Sequence, residues 1–146
     1  MIISFDLDDT LIPGIKRFDT EPQNLFQKIF NTEKIRLGTI SLIKRLRKDG
    51  HKIFIYTTSY RSISKIKRTF LFYGIRIDKA INQVSHNRML KDRAKVISKY
   101  PPAFGIHIHI DDSEGVATEG LKHNFRTIII NENTGDWTTF VLNSII

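Results

Sequence analysis

Two aspartates separated by one residue follow the first apolar run of the chain, residues 2–5, in the order Asp6-Leu7-Asp8. An apolar run that ends in polar residues is typical of a buried strand that delivers its last side chains to one edge of a sheet. Two carboxylates at such an edge repel each other unless a cation or a shared proton compensates them. The pair therefore predicts a divalent metal site in which one carboxylate acts as a nucleophile or an acid/base. A strand followed by an Asp-rich turn is the alternative interpretation.

A second acidic strand end lies far downstream, where an apolar run over residues 106–110 is followed by Asp111 and Asp112. Thr57 and Thr58 follow another apolar run in the same way. Because binding sites of parallel α/β sheets form at the carboxyl ends of the strands, we expect these side chains to lie close to the first pair. Carboxylate and other hard oxygen ligands suit octahedral Mg²⁺, and a hydroxyl beside them helps to bind a phosphoryl group.

The elements that must position these side chains alternate along the chain between short apolar runs and amphipathic segments. This alternation predicts an α/β, Rossmann-like fold of three layers, with a mostly parallel five-stranded sheet and helices on both faces. The expected strands are residues 2–5, 53–56, 80–83, 106–110 and 127–130, and the expected helices are residues 22–30, 39–49, 62–73, 91–99, 115–124 and 137–146. We expect a single domain over residues 1–146, with a small flap, or minimal cap, inserted at about residues 12–37.

The composition excludes several classes of protein. Apolar residues make up 40% of the 146 residues and charged residues 26%, which is ordinary for a globular domain. The absence of cysteine excludes disulfides, thiolate zinc sites and cysteine nucleophiles. No segment approaches the roughly 18 apolar residues of a membrane span, and the N-terminus lacks a basic signal-peptide flank. We therefore expect a cytoplasmic protein with no membrane partner.

The net charge of +8 is concentrated in one part of the chain. Residues 34–99 hold 18 Lys and Arg residues and three acidic residues, whereas the rest holds five basic and 12 acidic residues. Such asymmetry favours attraction of a polyanionic substrate or a nucleic acid to one face of the molecule. Solvated faces of basic helices are the alternative explanation, and no recognised nucleic-acid-binding motif is present.

In motif order and strand spacing, the whole chain resembles the haloacid dehalogenase superfamily, most of whose members are Mg²⁺-dependent phosphohydrolases. The matching residues, in the order of the four family motifs, are Asp6-x-Asp8-x-Thr10, Thr57, Lys91 and the Asp111-Asp112 pair. The chain departs from the family pattern at Asp9, where many relatives have glycine, and at Val116, where a further aspartate is common.

The resemblance implies a two-step phosphatase mechanism. Asp6 would attack phosphorus to form an aspartyl-phosphate, which is an established form of covalent catalysis. Asp8 would protonate the leaving oxygen and then activate the water that hydrolyses the intermediate. The resemblance also implies that Mg²⁺ is held by the Asp6 carboxylate, the Asp8 backbone carbonyl and Asp112, with Asp111 beside them.

The second and third motifs leave alternatives among neighbouring residues. Thr57 is favoured over Thr58 as the hydroxyl that binds the phosphoryl oxygens. Lys91, at a predicted helix start, is favoured over Lys95 as the lysine that binds the phosphoryl group and holds the charged nucleophile. Arg61, just past the second motif, either contacts the substrate or simply begins a helix.

The small flap has consequences for the substrate. In this superfamily the cap largely determines substrate choice, and an open site suits a bulky, macromolecular or polyanionic phosphate. Small sugar phosphates and nucleotides remain candidates. Two alternatives to a phosphatase are a catalytically weak or inactive binding module that retains the fold, and a basic nucleic-acid-binding protein whose acidic residues are structural.

Overall fold

The computed structural model describes residues 1–146, which form one five-stranded sheet flanked by helices. The strands are β1 Ile2–Phe5, β2 Lys52–Tyr56, β3 Lys79–Ile81, β4 Ile108–Asp111 and β5 Arg126–Ile129. Their order is β3-β2-β1-β4-β5, and every neighbouring pair is parallel. Ile3 of the central β1 lies opposite Ile53 on one side and Ile108 on the other, so the carboxyl ends of these strands reach the same edge. The expected α/β class and Rossmann-like parallel sheet are confirmed.

The two faces of the sheet differ in size and polarity because successive side chains of a strand point to opposite faces. In β2, Ile53 and Ile55 belong to a hydrophobic cluster of 24 buried residues, whereas Phe54 and Tyr56 belong to a cluster of four. The smaller face also carries buried polar side chains, among them His109 of β4. The larger face therefore provides most of the apolar burial, and the smaller one accommodates a polar network beneath the site.

Six helices flank the sheet: α1 Leu25–Ile29, α2 Thr39–Lys48, α3 Ile63–Phe72, α4 Gln83–Leu90, α5 Glu114–His123 and α6 Trp137–Ile145. Leu42 of α2, Phe70 of α3 and Val141 of α6 complete the larger cluster. On the other face, His86 of α4 packs beside Tyr56, with ring centroids 5.8 Å apart. None of these helices has the length and hydrophobicity that a membrane-spanning helix requires.

The sequence-based prediction of a helix over residues 91–99 is wrong. The structure has α4 before this region, followed by two 3-10 segments, Lys91–Lys95 and Pro101–Phe104. Apolar periodicity could not reveal α4, because Val84 and Met89 are exposed and its buried side chains are His86 and Leu90.

The flap between β1 and α2 is a short paired stem that carries α1 in its loop. Thr20 and Arg36 form an antiparallel bridge, and backbone hydrogen bonds of 2.8 Å on either side join residues 19–21 to residues 35–37. At its base, Asp9 has a positive φ of 63°, a conformation that glycine adopts without strain. The Asp9 carboxylate accepts hydrogen bonds from the backbone N–H groups of Gly14 (3.0 Å) and Lys16 (2.8 Å). The aspartate at this position thus organises the start of the flap.

Candidate active site

Five aspartates lie around one cavity at the carboxyl edge of β1 and β4. The backbone N–H of Asp6 donates to the carbonyl of Ile110 at 2.8 Å, which continues the pairing of the two strands to the site. One carboxylate oxygen from each of Asp6, Asp111 and Asp112 lies within 4.8 Å of the others. The cavity, about 330 Å³ in volume, is lined by these three side chains, Asp8 and several neighbours. The sequence-based expectation that two acidic strand ends meet is confirmed.

A buried lysine, Lys99, compensates the charge of this cluster. Its side chain is 2% exposed, and Nζ donates to Asp6 Oδ1 at 2.6 Å, to Asp111 Oδ2 at 3.2 Å and to the Tyr56 carbonyl at 2.9 Å. Burial alone would lower the pKa of this ammonium group, but the charges of Asp6 and Asp111 raise it above its ordinary value. Lys99 is therefore charged and joins the ends of β1, β2 and β4.

The placement of the candidate lysine is a correction to the sequence analysis. Lys91 is exposed, ends α4 and lines a different cavity together with Lys79 and Phe104. Lys95 is also exposed and pairs with Asp92 at 3.0 Å. The physical reason is that residues 91–95 form a 3-10 segment on the outside of the molecule, and the chain reaches the carboxylates only at Lys99.

The two buried carboxylates are in different electrostatic situations. Burial raises the pKa of Asp6 to about 6, with Lys99 opposing the rise and Asp111 adding to it. Burial also acts to raise the pKa of Asp111, but the hydrogen bond from His109 and the charge of Lys99 hold it below its usual range. Of the two, Asp6 is thus the carboxylate whose negative charge is less fully compensated by the protein.

His109 lies beneath the site and contacts Asp111 from within the sheet. Its Nε2 is 2.9 Å from Asp111 Oδ2, and its Nδ1 is 2.7 Å from the hydroxyl of Ser4. Burial lowers the pKa of His109, so a neutral ring donates from Nε2 to Asp111 and accepts from Ser4. Ser4, His109 and Asp111 have the residue types of a hydrolytic triad, but Ser4 and His109 are completely buried and no substrate can reach them. Their role is to orient Asp111.

Thr10 and Lys16 contact the remaining oxygens of the cluster. The Thr10 hydroxyl is 3.2 Å from both Asp6 Oδ2 and Asp112 Oδ1, although it has one proton to donate. From the flap, Lys16 Nζ is 2.8 Å from Asp112 Oδ2 and 3.9 Å from Glu132. Asp6 and Asp112 therefore offer hard carboxylate oxygens whose negative charge is only partly compensated by neighbouring groups. Such a donor set fits Mg²⁺, which Asp6 and Asp112 would hold with Asp111 beside them.

Asp8 is held by Arg61 rather than by the carboxylate cluster. Arg61 Nη1 and Nη2 each donate to one Asp8 oxygen at 2.9 Å, and the same guanidinium binds Glu33 of the flap. The Asp8 side chain remains 44% exposed, so it is open to the cavity.

The two threonines of the second motif occupy different environments. Thr57 is buried, its backbone N–H donates to the Ile81 carbonyl at 2.9 Å, and its hydroxyl oxygen accepts the backbone N–H of Ser59 at 3.0 Å. Thr58 is exposed and lines the cavity, opposite to the order that strand counting favours. The choice between the two hydroxyls as a substrate contact stays a prediction.

Sequence reasoning missed Lys99, His109 as an orienting residue, and Lys16. Pro101 restricts the residue before it to an extended backbone and so indicates that a helix ends there, but no local signal distinguishes Lys99 from Lys91 or Lys95. The contacts of His109 and Lys16 depend on the packing of distant segments, and no local pattern indicates them.

No protein-family model matches the sequence, and no curated protein matches it either. Among solved structures, the chain is similar to one described as a predicted HAD-like family hydrolase from Porphyromonas gingivalis. The TM-score is 0.56 at 13% sequence identity, and the alignment covers 99% of this chain and 97% of that chain. This likeness is one of fold over the whole chain.

Proposed function

We propose that the protein is a Mg²⁺-dependent phosphohydrolase that cleaves a phosphomonoester through an aspartyl-phosphate intermediate on Asp6. The observation that carries the proposal is the pairing of a buried carboxylate with a buried lysine at the floor of an open cavity: Asp6 with Lys99, at 2.6 Å. Asp111 and Asp112 place further oxygen ligands within 4.8 Å of Asp6, and the fold of the chain resembles that of a HAD-like hydrolase. When bound, Mg²⁺ would neutralise charge on the transferring phosphoryl group.

In the first step, an oxygen of Asp6 forms a bond to phosphorus while the bond from phosphorus to the leaving oxygen breaks. Asp8 gives its proton to that leaving oxygen. Lys99 keeps Asp6 oriented and supplies positive charge where the phosphoryl oxygens arrive. Thr58 or Thr57 donates a hydroxyl hydrogen bond to the same oxygens.

In the second step, a water molecule attacks phosphorus and Asp8 takes its proton. The bond between phosphorus and Asp6 breaks, which releases inorganic phosphate and restores both side chains. His109 keeps Asp111 fixed during both steps because it donates from within the sheet and is not exposed to the substrate.

We infer that the substrate is a bulky or polyanionic phosphomonoester. The flap carries one five-residue helix, which packs against Phe72 at the end of α3 and leaves room at the site for a large leaving group. Residues 34–99 give the adjoining surface an excess of basic side chains.

The test of the catalytic proposal is a phosphatase assay on p-nitrophenyl phosphate and a panel of phosphomonoesters, with Mg²⁺ or with EDTA. We expect EDTA to abolish turnover and Asp6→Asn to lower kcat by at least about 10³-fold, because loss of a nucleophile removes the covalent route. Acid-quenched protein should carry phosphate on Asp6 by mass spectrometry. Asp92→Asn, the same change at an exposed site, is the matched control and should retain full activity. Turnover that survives in EDTA or in Asp6→Asn would overturn the mechanism.

A further inference from the structure

The guanidinium of Arg61 lies between two carboxylates, one in the site and one in the flap. Toward the site, it forms the paired hydrogen bonds with both oxygens of Asp8, each 2.9 Å long. Toward the flap, Nε is 3.1 and 3.0 Å from the two oxygens of Glu33, and Nη2 is 2.7 Å from Oε1. Paired contacts of this kind fix the plane of a carboxylate as well as its position.

Arg61 and Glu33 are each held in place by further hydrogen bonds to their backbone. The Arg61 backbone carbonyl accepts the side-chain amide of Asn82 at 3.0 Å, and its N–H donates to the Ser59 hydroxyl at 3.3 Å. The Glu33 backbone carbonyl accepts the Tyr73 hydroxyl at 2.8 Å. The backbone of Arg61 is therefore fixed by the segments that follow β2 and β3, and that of Glu33 by the end of α3.

The hydrogen bonds leave Arg61 little capacity for a substrate. Of the five N–H groups of a guanidinium, four point to Asp8 or Glu33, because Nε–H binds Glu33, one Nη1–H binds Asp8 and the two Nη2–H groups bind one each. The Arg61 side chain is 20% exposed, less than the Asp8 side chain at 44%. A phosphate that binds more than the one remaining N–H group would have to displace Asp8 or Glu33 from this guanidinium.

We propose that Arg61 is a positioning residue that acts through Asp8, and that Glu33 of the flap holds Arg61 in place for this role. The proposal rests on the acid/base role given to Asp8 above, and it replaces the interpretation of Arg61 as a substrate contact. The Asp8 oxygen that carries the proton gives up its hydrogen bond from Arg61 while the other oxygen keeps its own, so the carboxyl group keeps its direction in both steps. A misplacement of about 1 Å at such a group can cost about 10²-fold in rate.

The test compares two substrates whose leaving groups differ in their need for a proton. p-Nitrophenolate leaves without protonation, whereas an alkoxide from an alkyl phosphate does not. For Arg61→Lys we expect kcat on an alkyl phosphate to fall about 10- to 100-fold. In a single turnover, the rate of p-nitrophenol release should fall by a smaller factor. KM should change less than about threefold for both substrates. Glu33→Gln should give the same pattern with a smaller loss.

A double-mutant cycle separates positioning from substrate binding. The rate at which the phosphorylated enzyme loses phosphate should fall in Arg61→Lys and in Asp8→Asn, and Arg61→Lys should cost nothing more in the Asp8→Asn background. Arg45→Lys is the matched control, because Arg45 pairs with Asp49 at 2.9 Å on the exposed surface of α2. Equal thermal unfolding temperatures show that the variants are folded.

Two results would overturn the proposal in distinguishable ways. If Arg61→Lys raises KM equally for both substrates and its effect adds to that of Asp8→Asn, Arg61 binds the substrate, while the proposed phosphatase function stands. If the unmodified protein hydrolyses neither substrate with Mg²⁺, the phosphatase function fails, and the positioning role fails with it.

Discussion

Lys16 brings a positive charge from the flap to Asp112, a carboxylate that is a candidate metal ligand. Its ammonium group lies 2.8 Å from Asp112 Oδ2 and 3.4 Å from the Asp112 backbone carbonyl. The hydrogen bond to Asp112 raises the pKa of Lys16 above its usual value, so the ammonium group is charged at neutral pH. The backbone of Lys16 is fixed in turn by the carboxylate of Asp9. A divalent cation that binds Asp112 must therefore compete with this ion pair.

Replacement of Lys16 by methionine should strengthen divalent metal binding. The lost ion pair is partly exposed and is worth about 1 kcal/mol, which corresponds to a roughly fivefold lower Kd. The measurement is titration with Mn²⁺, with free metal followed by electron paramagnetic resonance. Lys95→Met removes an exposed ion pair, with Asp92, and is the control that should leave the Kd unchanged. An unchanged Kd in Lys16→Met would contradict competition between Lys16 and the metal.

At the scale of the elements, Asp78, which directly precedes β3, connects that strand to β2 and α2. One of its oxygens accepts the backbone N–H of Ile53 in β2 at 2.8 Å and Arg47 of α2 at 2.5 Å. Burial acts to raise the pKa of Asp78, but these two donors hold it below its usual range. These contacts fix the position where β2 begins, and Thr57 and Thr58 of the site follow directly after this strand.

Asp78→Asn should destabilise the fold in a pH-dependent way. Because the pKa is depressed in the folded state, the stabilisation is fully present above the unfolded pKa of about 4 and is lost as pH falls through the folded pKa. We expect a loss of about 1–2 kcal/mol at pH 7 that is smaller at pH 3. Urea unfolding at both pH values measures it. Asp49 forms an exposed pair with Arg45, and the control Asp49→Asn should cost less than about 0.5 kcal/mol at either pH. If Asp78→Asn instead lowers the free energy of unfolding equally at pH 7 and pH 3, the depressed pKa of Asp78 does not contribute to stability.

Elements whose local sequence matches their environment could be predicted, and those set by distant contacts could not. β1, β2 and β4 are apolar runs that end in polar residues, so Asp6, Asp111 and Asp112 were identifiable as neighbours. Lys91, Lys95 and Lys99 look alike in sequence, and only the path of the 3-10 segments decides which one is buried. Helix α4 escaped prediction because its exposed face is as apolar as its buried one.

At the scale of the whole molecule, part of the basic excess of residues 34–99 is internal. Lys99 and Arg36 are 2% and 3% exposed, and Arg61 is bound to two carboxylates. The Arg36 guanidinium lies 4.5 Å from the ring centroid of Phe18 and 4.9 Å from that of Trp137, so it packs the base of the flap against the start of α6. The remaining cations are mostly on the surface of the helices, where a long anionic substrate can contact them.

A 5′-phosphorylated oligonucleotide should be a better substrate than a nucleoside monophosphate at low salt. We expect its kcat/KM to fall steeply between about 50 and 200 mM salt, while the monophosphate changes little, because only a polyanion displaces several counterions. Replacing exposed Lys65 and Arg68 of α3 by glutamine should lower the oligonucleotide value and leave p-nitrophenyl phosphate hydrolysis unchanged. Equal or faster turnover of the monophosphate at low salt would exclude a polyanionic substrate.

The paired stem of the flap has a consequence for how such a chain can diversify. Residues 22–34 leave and return at neighbouring points of the stem, and Glu21 accepts the backbone N–H groups of Gly38 and Ile40 at the start of α2. A longer segment, or a whole folded unit, could replace this loop without moving β1 or α2, since the closure cost rises only slowly with length. Glu33 lies within the exchanged loop. Any replacement would therefore have to return one carboxylate to Arg61, and that single requirement couples the evolution of the loop to the acid/base aspartate.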